Sequence, residues 1–113
     1  MARILVVDDD ASACEALEVI LSREGYTVLT AASGDKALAY LQSQEVDLLL
    51  SDVKMPQMDG LTLLRHVKAE DAGLVVVMMS GHSDVSVAVA AMKEGAFDYL
   101  VKPLSRDDVL RTV

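Results

Sequence analysis

Five times along the chain, a short and nearly unbroken apolar run gives way to a helical period. The runs are Ile4 to Val7, Tyr26 to Ala31, Leu48 to Ser51, Leu74 to Met79 and Tyr99 to Val101. Runs this continuous belong to strands buried on both faces, not to strands with one wet face. The helical stretches read as Ala11 to about Glu24, about Gly34 to Gln42, Gly60 to about Ala69, Asp84 to about Glu94, and a last one after Ser105. Ala13, Leu17, Ile20 and Leu21 fall on one face of the first. Ala37, Leu38 and Leu41 do so on the second, and Leu61, Leu64 and Val67 on the third. Strictly alternating strands and helices predict an α/β fold, a parallel sheet with helices on both faces. Right-handed crossovers then bring the carboxyl end of every strand to one edge.

Local signals mark the element ends. Gly25 and Gly95 stand where helices stop. Ser33 and Ser83 are N-cap candidates, and Ser105 with Asp108 reads as a capping box, Asp standing in for Glu. Asp10 suits a helix N-terminus. The last helix simply stops at Val113, which points to a piece of a longer protein.

The bulk numbers exclude several classes. With 113 residues the chain predicts a single domain over residues 1–113 with one core. Asp and Glu number 18 against 10 Lys and Arg, a net charge of −8, which argues against direct nucleic-acid binding. No apolar run reaches the roughly 18 residues of a membrane span, and no signal-peptide pattern opens the chain. The single cysteine, Cys14, rules out an internal disulfide and a CxxC metal site and reads as a packed small hydrophobe. A cytoplasmic location is expected.

Polar residues of a particular kind follow the strand ends. Asp8 and Asp9 come after the first, Asp52 after the third, Ser80 after the fourth and Lys102 after the fifth. In open parallel sheets this edge is where chemistry collects. Three carboxylates there repel one another unless a proton or cation intervenes. A hard divalent cation, Mg²⁺ or Mn²⁺, suits carboxylate and carbonyl oxygens. The Ser80 hydroxyl and the Lys102 ammonium suit a phosphoryl group instead. The set predicts Asp52 as a nucleophile toward phosphorus, with Lys102 pairing with a phosphoryl oxygen or, without one, with Asp52.

Taken together, Val6-Val7-Asp8-Asp9, Asp52-Val53-Lys54-Met55-Pro56 with Asp59-Gly60, Ser80-Gly81 and Lys102-Pro103 resemble the receiver domain of bacterial two-component response regulators. The blocks occur in order and span nearly the whole chain. The resemblance implies a flavodoxin-like (βα)5 doubly wound sheet of five parallel strands in the order 2-1-3-4-5. It implies Asp52 as phosphoacceptor and a cation site of Asp8, Asp9, Asp52 and the Lys54 backbone carbonyl, Asp9 a direct ligand and Asp8 acting through water or as a positioning group. Ser80 and Tyr99 would be the switch residues and the Lys102-Pro103 bond a candidate cis peptide. Such a domain is a switch that assists its own phosphorylation and dephosphorylation, not an enzyme in its own right. Its partners would be a sensor histidine kinase and a downstream effector domain. A homodimer could form through the fourth helix, fifth strand and fifth helix. The blocks Ser80-Gly81-His82-Ser83-Asp84 and Glu94 to Pro103 further resemble the nitrogen-regulation and dicarboxylate-transport branch, whose receivers control an ATPase that activates sigma-54 polymerase.

Other readings fit less well. A phosphatase of the haloacid-dehalogenase type needs an acid two residues after its nucleophile, where this chain has Lys54. A receiver-like module that only binds partners would not need the acids, the acceptor and the lysine together. A nucleotide-binding flavodoxin-like protein needs a phosphate loop that is absent here. His82 reads as a loop residue, His66 as surface, and Met78-Met79 as strand core. The helix Asp84–Glu94 leaves little polar face, which predicts an exposed apolar patch.

Overall fold

The computed structural model describes residues 2–81, 85–102 and 104–112. His82, the Ser83 cap, Asp84 and the Lys102-Pro103 bond lie wholly or partly outside that range. Strands β1 (Arg3–Val7), β2 (Thr27–Ala31), β3 (Leu48–Asp52), β4 (Val75–Ser80) and β5 (Asp98–Val101) alternate with helices α1 (Ala11–Arg23), α2 (Gly34–Ser43), α3 (Gly60–Glu70), α4 (Val85–Lys93) and α5 (Arg106–Thr112). The strands form one parallel sheet in the order 2-1-3-4-5, as the resemblance implies.

The unbroken apolar runs have a direct cause. Leu5, Val7, Leu49, Val76 and Met78 point to one face and pack with α2, α3 and α4. Ile4, Val6, Leu50, Val77 and Met79 point to the other and pack with α1 and α5. Each face has its own core, so the inner positions of the strands are apolar whichever face they meet. Cys14 is buried in the second core, and its thiol donates to the Asp8 carbonyl at 3.4 Å. Burial, then the Asp8 charge, pushes that thiol up from its ordinary pKa. The α3 stripe is wider than its sequence period suggested: Leu63 is fully buried beside Leu64 and Val67, and Leu61 only partly. His66 is exposed, and Met78 and Met79 are buried, as read.

The caps form as the sequence signals require. Asp10, Ser33 and Asp59 accept from the backbone of the first turns of α1, α2 and α3. Ser105 and Asp108 exchange hydrogen bonds at 3.0 and 3.3 Å, a reciprocal capping box. Those bonds hold the Asp108 carboxyl below its usual pKa. Helices α1 and α4 end alike. Gly25 at φ 92° donates to Ser22 and Tyr26 donates to Leu21; Gly95 at φ 102° donates to Met92 and Ala96 to Ala91. These paired bonds satisfy the last carbonyls and need a left-handed residue at the glycine. Tyr26 is spent on this closure, so β2 begins one residue later than the apolar run.

Gly60 has a different task. A Cβ there would collide with the Asp52 carbonyl oxygen and lie 2.9 Å from Val53 Cα. Its amide donates to the Val53 carbonyl at 2.7 Å, which clamps the start of α3 against the end of β3. Two alanine substitutions separate the two kinds of glycine. Gly25→Ala meets open space and is expected to cost about 1 kcal/mol, the left-handed penalty alone. Gly60→Ala must displace backbone, which is expected to cost about 3 kcal/mol. Urea unfolding of both variants measures the difference.

Candidate functional site

The site lies where β1, β3, β4 and β5 end. Asp8 follows β1 and is buried at 1% exposure, so its carboxylate depends on the protein for partners. Its Oδ1 accepts from the Asp10 amide at 2.9 Å, and its own amide donates to the Ala31 carbonyl at 3.1 Å. Asp9, the next residue, is exposed. Asp52 is the last residue of β3, paired with Met79, and not the first residue of the following loop. It is 7% exposed. One carboxylate oxygen from each of Asp8, Asp9 and Asp52 can be chosen so that all three lie within 4.8 Å of one another.

Lys102 reaches this group from one residue beyond β5. Its amide donates to the Ser80 carbonyl at 2.7 Å, which fixes the chain direction. Its ammonium is 2.6 Å from Asp8 Oδ2 and 3.4 Å from Asp52 Oδ2. The sequence reading gave Lys102 to Asp52; the structure gives it first to Asp8. Asp8 is the more deeply buried of the two acids and gains more from a charged partner. Ser80 is buried at the end of β4. Lys54 is exposed in the loop two residues past Asp52. Tyr99 lies partly buried in β5, in register with Met78, two residues short of the edge. The carboxylates and Lys102 therefore meet; Ser80 and Lys54 share their edge, and Tyr99 sits behind it. Sequence reasoning missed the close packing of Gly60 on Asp52, although Asp59-Gly60 marked the helix start. It also missed the Cys14 thiol under Asp8, for which the sequence carries no signal.

The electrostatics follow from this packing. Burial, then the Asp8 charge, raises the Asp52 carboxyl above its ordinary pKa, and Lys102 opposes the rise. The carboxylates raise the Lys102 pKa against the effect of burial. One ammonium thus serves two buried acids, with a third beside them. The donor set is all hard oxygen at mutual distances a small divalent cation spans, so the residues fit such an ion.

A family model described as the response regulator receiver domain matches residues 4–113. The chain belongs to this receiver family. It is 46% identical over 110 residues to the transcriptional regulatory protein ZraR of Escherichia coli, covering 97% of this chain and 25% of that protein. It is likewise 46% identical to the DNA-binding transcriptional regulator NtrC of Salmonella typhimurium, covering 97% of this chain and 24% of that one. A receiver domain protein from Clostridium thermocellum superposes with a TM-score of 0.93 at 35% identity, covering 99% of this chain and 90% of that one. The chain spans about a quarter of the length of the curated relatives it matches. Both of those are transcriptional regulators, in agreement with the branch that the finer sequence blocks resemble. Among the described residues, no helix of this receiver is long and apolar enough to cross a membrane.

The strained charge balance predicts a stability effect. A carboxyl whose folded pKa is raised destabilises the fold where it is ionised. The penalty is absent below the unfolded pKa, grows as pH rises from there to the folded value, and is complete above it. In chelator-treated protein at neutral pH, Asp52→Asn is expected to raise the melting midpoint by several degrees, the shift that about 1 kcal/mol gives in a domain of this size. The gain should vanish in acid. Differential scanning calorimetry at pH 7 and pH 3.5 checks both halves.

Proposed function

We propose that this receiver is a phosphorylation-controlled switch with Asp52 as the acceptor. The observation that carries the reading is the convergence of Asp8, Asp9 and Asp52 with Lys102 at one edge of the sheet. An Asp52 oxygen attacks phosphorus, the phosphorus bond to the donor's leaving group breaks, and an acyl phosphate forms. The donor is the phosphohistidine of a sensor histidine kinase, whose histidine leaves. Lys102 moves its charge from Asp8 toward a phosphoryl oxygen, and the Ser80 hydroxyl donates to another. Asp9, Asp8, Asp52 and the Lys54 carbonyl would hold a Mg²⁺ or Mn²⁺ ion, which would supply positive charge against that developing on the phosphoryl oxygens. Hydrolysis of the acyl phosphate resets the switch. The chain assists these steps on itself and is not an enzyme acting on others.

The output runs through α4, β5 and α5, with Ser80 and Tyr99 linking the acceptor to that face. Val85, Val89 and Met92 of α4, with Phe97 and Val101, are 45% to 76% exposed. Only Ala91 of α4 is buried among the described residues. An apolar surface of this kind suits another protein surface, here a second copy or the effector of a longer, cytoplasmic transcriptional regulator. DNA contact would fall to that effector, since this domain carries net charge −8.

Two measurements test the reading. Intact mass after incubation with acetyl phosphate and Mg²⁺ is expected to show one phosphoryl adduct, labile in base and absent from Asp52→Asn and from a chelated sample. No adduct from folded protein would leave a module that binds partners without phosphate. Mg²⁺ alone is expected to stabilise the wild type, by about 2.7 kcal/mol at a hundred times its Kd. Asp9→Asn should lose most of that gain, read as the Mg²⁺ dependence of the melting midpoint.

A further inference from the structure

A second concavity lies at the opposite edge of the sheet, where β3 and β4 begin and α2 and α3 end. It measures about 770 Å³, within the range of small-molecule clefts. Leu38 and Leu41 of α2, Val67 of α3 and Leu74 before β4 give it an apolar wall. Around them stand Glu45 and Asp47 from the α2–β3 connection and Glu70 and Asp71 at the end of α3. Among the described residues, His66 is the only basic one in the lining; the Lys68 ammonium donates from outside it to the Leu74 carbonyl.

Two features make this groove predominantly negative. Four carboxylates line it. The carboxyl ends of α2 and α3, which carry the negative pole of each helix, close there with Gln44 and Asp71 as caps. Two of the acids are already engaged: Asp47 accepts from the Arg3 amide at 2.8 Å and Asp71 from the Gly73 amide at 3.1 Å. The Arg3 guanidinium sits at the rim on the Gln44 side chain and the Glu45 carbonyl. No hydrogen bond or ion pair engages the Glu45 and Glu70 carboxylates among the described residues, so both are available to an incoming charge.

We propose that this groove is a binding site for a small organic cation with an apolar body, such as an aryl- or alkylammonium. The body would lie against Leu38, Leu41, Val67 and Leu74, and the cation would meet Glu45 and Glu70 near the two helix ends. The site is independent of the phosphoryl chemistry, because it lies at the amino ends of the strands whose carboxyl ends hold Asp52 and Ser80.

Three probes with one apolar body and different charge test it: 4-phenylbutylammonium, 4-phenylbutanol and 4-phenylbutyrate. Titrations followed by amide chemical shifts of the ¹⁵N-labelled domain give both affinity and location. The ammonium is expected to bind with a Kd on the order of millimolar, as its size allows, and to shift amides of α2, α3 and the residues before β3 and β4. The alcohol should bind roughly tenfold more weakly, the scale of one or two exposed ion pairs. The carboxylate should not bind. The exposed double variant Glu45→Gln/Glu70→Gln, its fold checked by the same spectrum, should bring the ammonium down to the alcohol's affinity. Equal affinity for all three probes, shifts confined to α4, or a double variant that binds the ammonium as well as wild type would overturn the proposal.

Discussion

The interaction on which the rest depends is the repulsion among carboxylates held at the ends of parallel strands. Asp8 and Asp52 are taken out of water by the same packing that builds the two cores, and neither can turn away. The fold offers one ammonium between them. Desolvation of a charge is costly unless it is paired, so a single ammonium leaves these carboxylates under-compensated, as the raised Asp52 pKa reflects. A site of this kind gains by taking up positive charge, and a receiver site is where such a gain is useful.

The sheet order makes this placement possible. With β3 at the centre between β1 and β4, and β5 beyond, Asp8, Asp52, Ser80 and Lys102 fall along one edge in spatial order. Register sets the depth: Val7 pairs with Ser51, Asp52 with Met79, and Ser80 with Val101. A one-residue slip would turn each of these side chains to the other face. The Gly60 clamp adds a second constraint by holding α3 on the Asp52 backbone, so the acceptor is fixed from the strand before it and the helix after it.

Much of this was legible in the sequence because the signals were local. Apolar runs marked strands, and the first polar residue after each run marked the edge. Glycines and capping side chains marked the helix ends. What was not legible depended on distance through space. Lys102 and Asp8 are 94 positions apart, and nothing local says which of two acids the ammonium prefers. Leu63 lies off the simplest apolar stripe of α3 yet is fully buried, because that helix meets both the sheet and its neighbours. Gln57 adopts φ 70° in the loop after the acceptor. Met55-Pro56 announced a turn there, but Gln has no preference for left-handed backbone that could have marked the residue.

The proposed switch also needs an element that can move at low cost, and α4 is built for that. Its only fully buried side chain is the small Ala91. Its carboxyl end is tied down by the Gly95 closure and by the Arg65–Glu94 ion pair at 3.2 Å. That pair is exposed, and exposed pairs hold little energy. Helices α1 and α3, by contrast, each bury several large side chains. Elements with few buried apolar contacts open most readily. A phosphoryl group at Asp52 would therefore meet little resistance in the direction of α4, whose exposed valines and methionine are what a partner surface would cover.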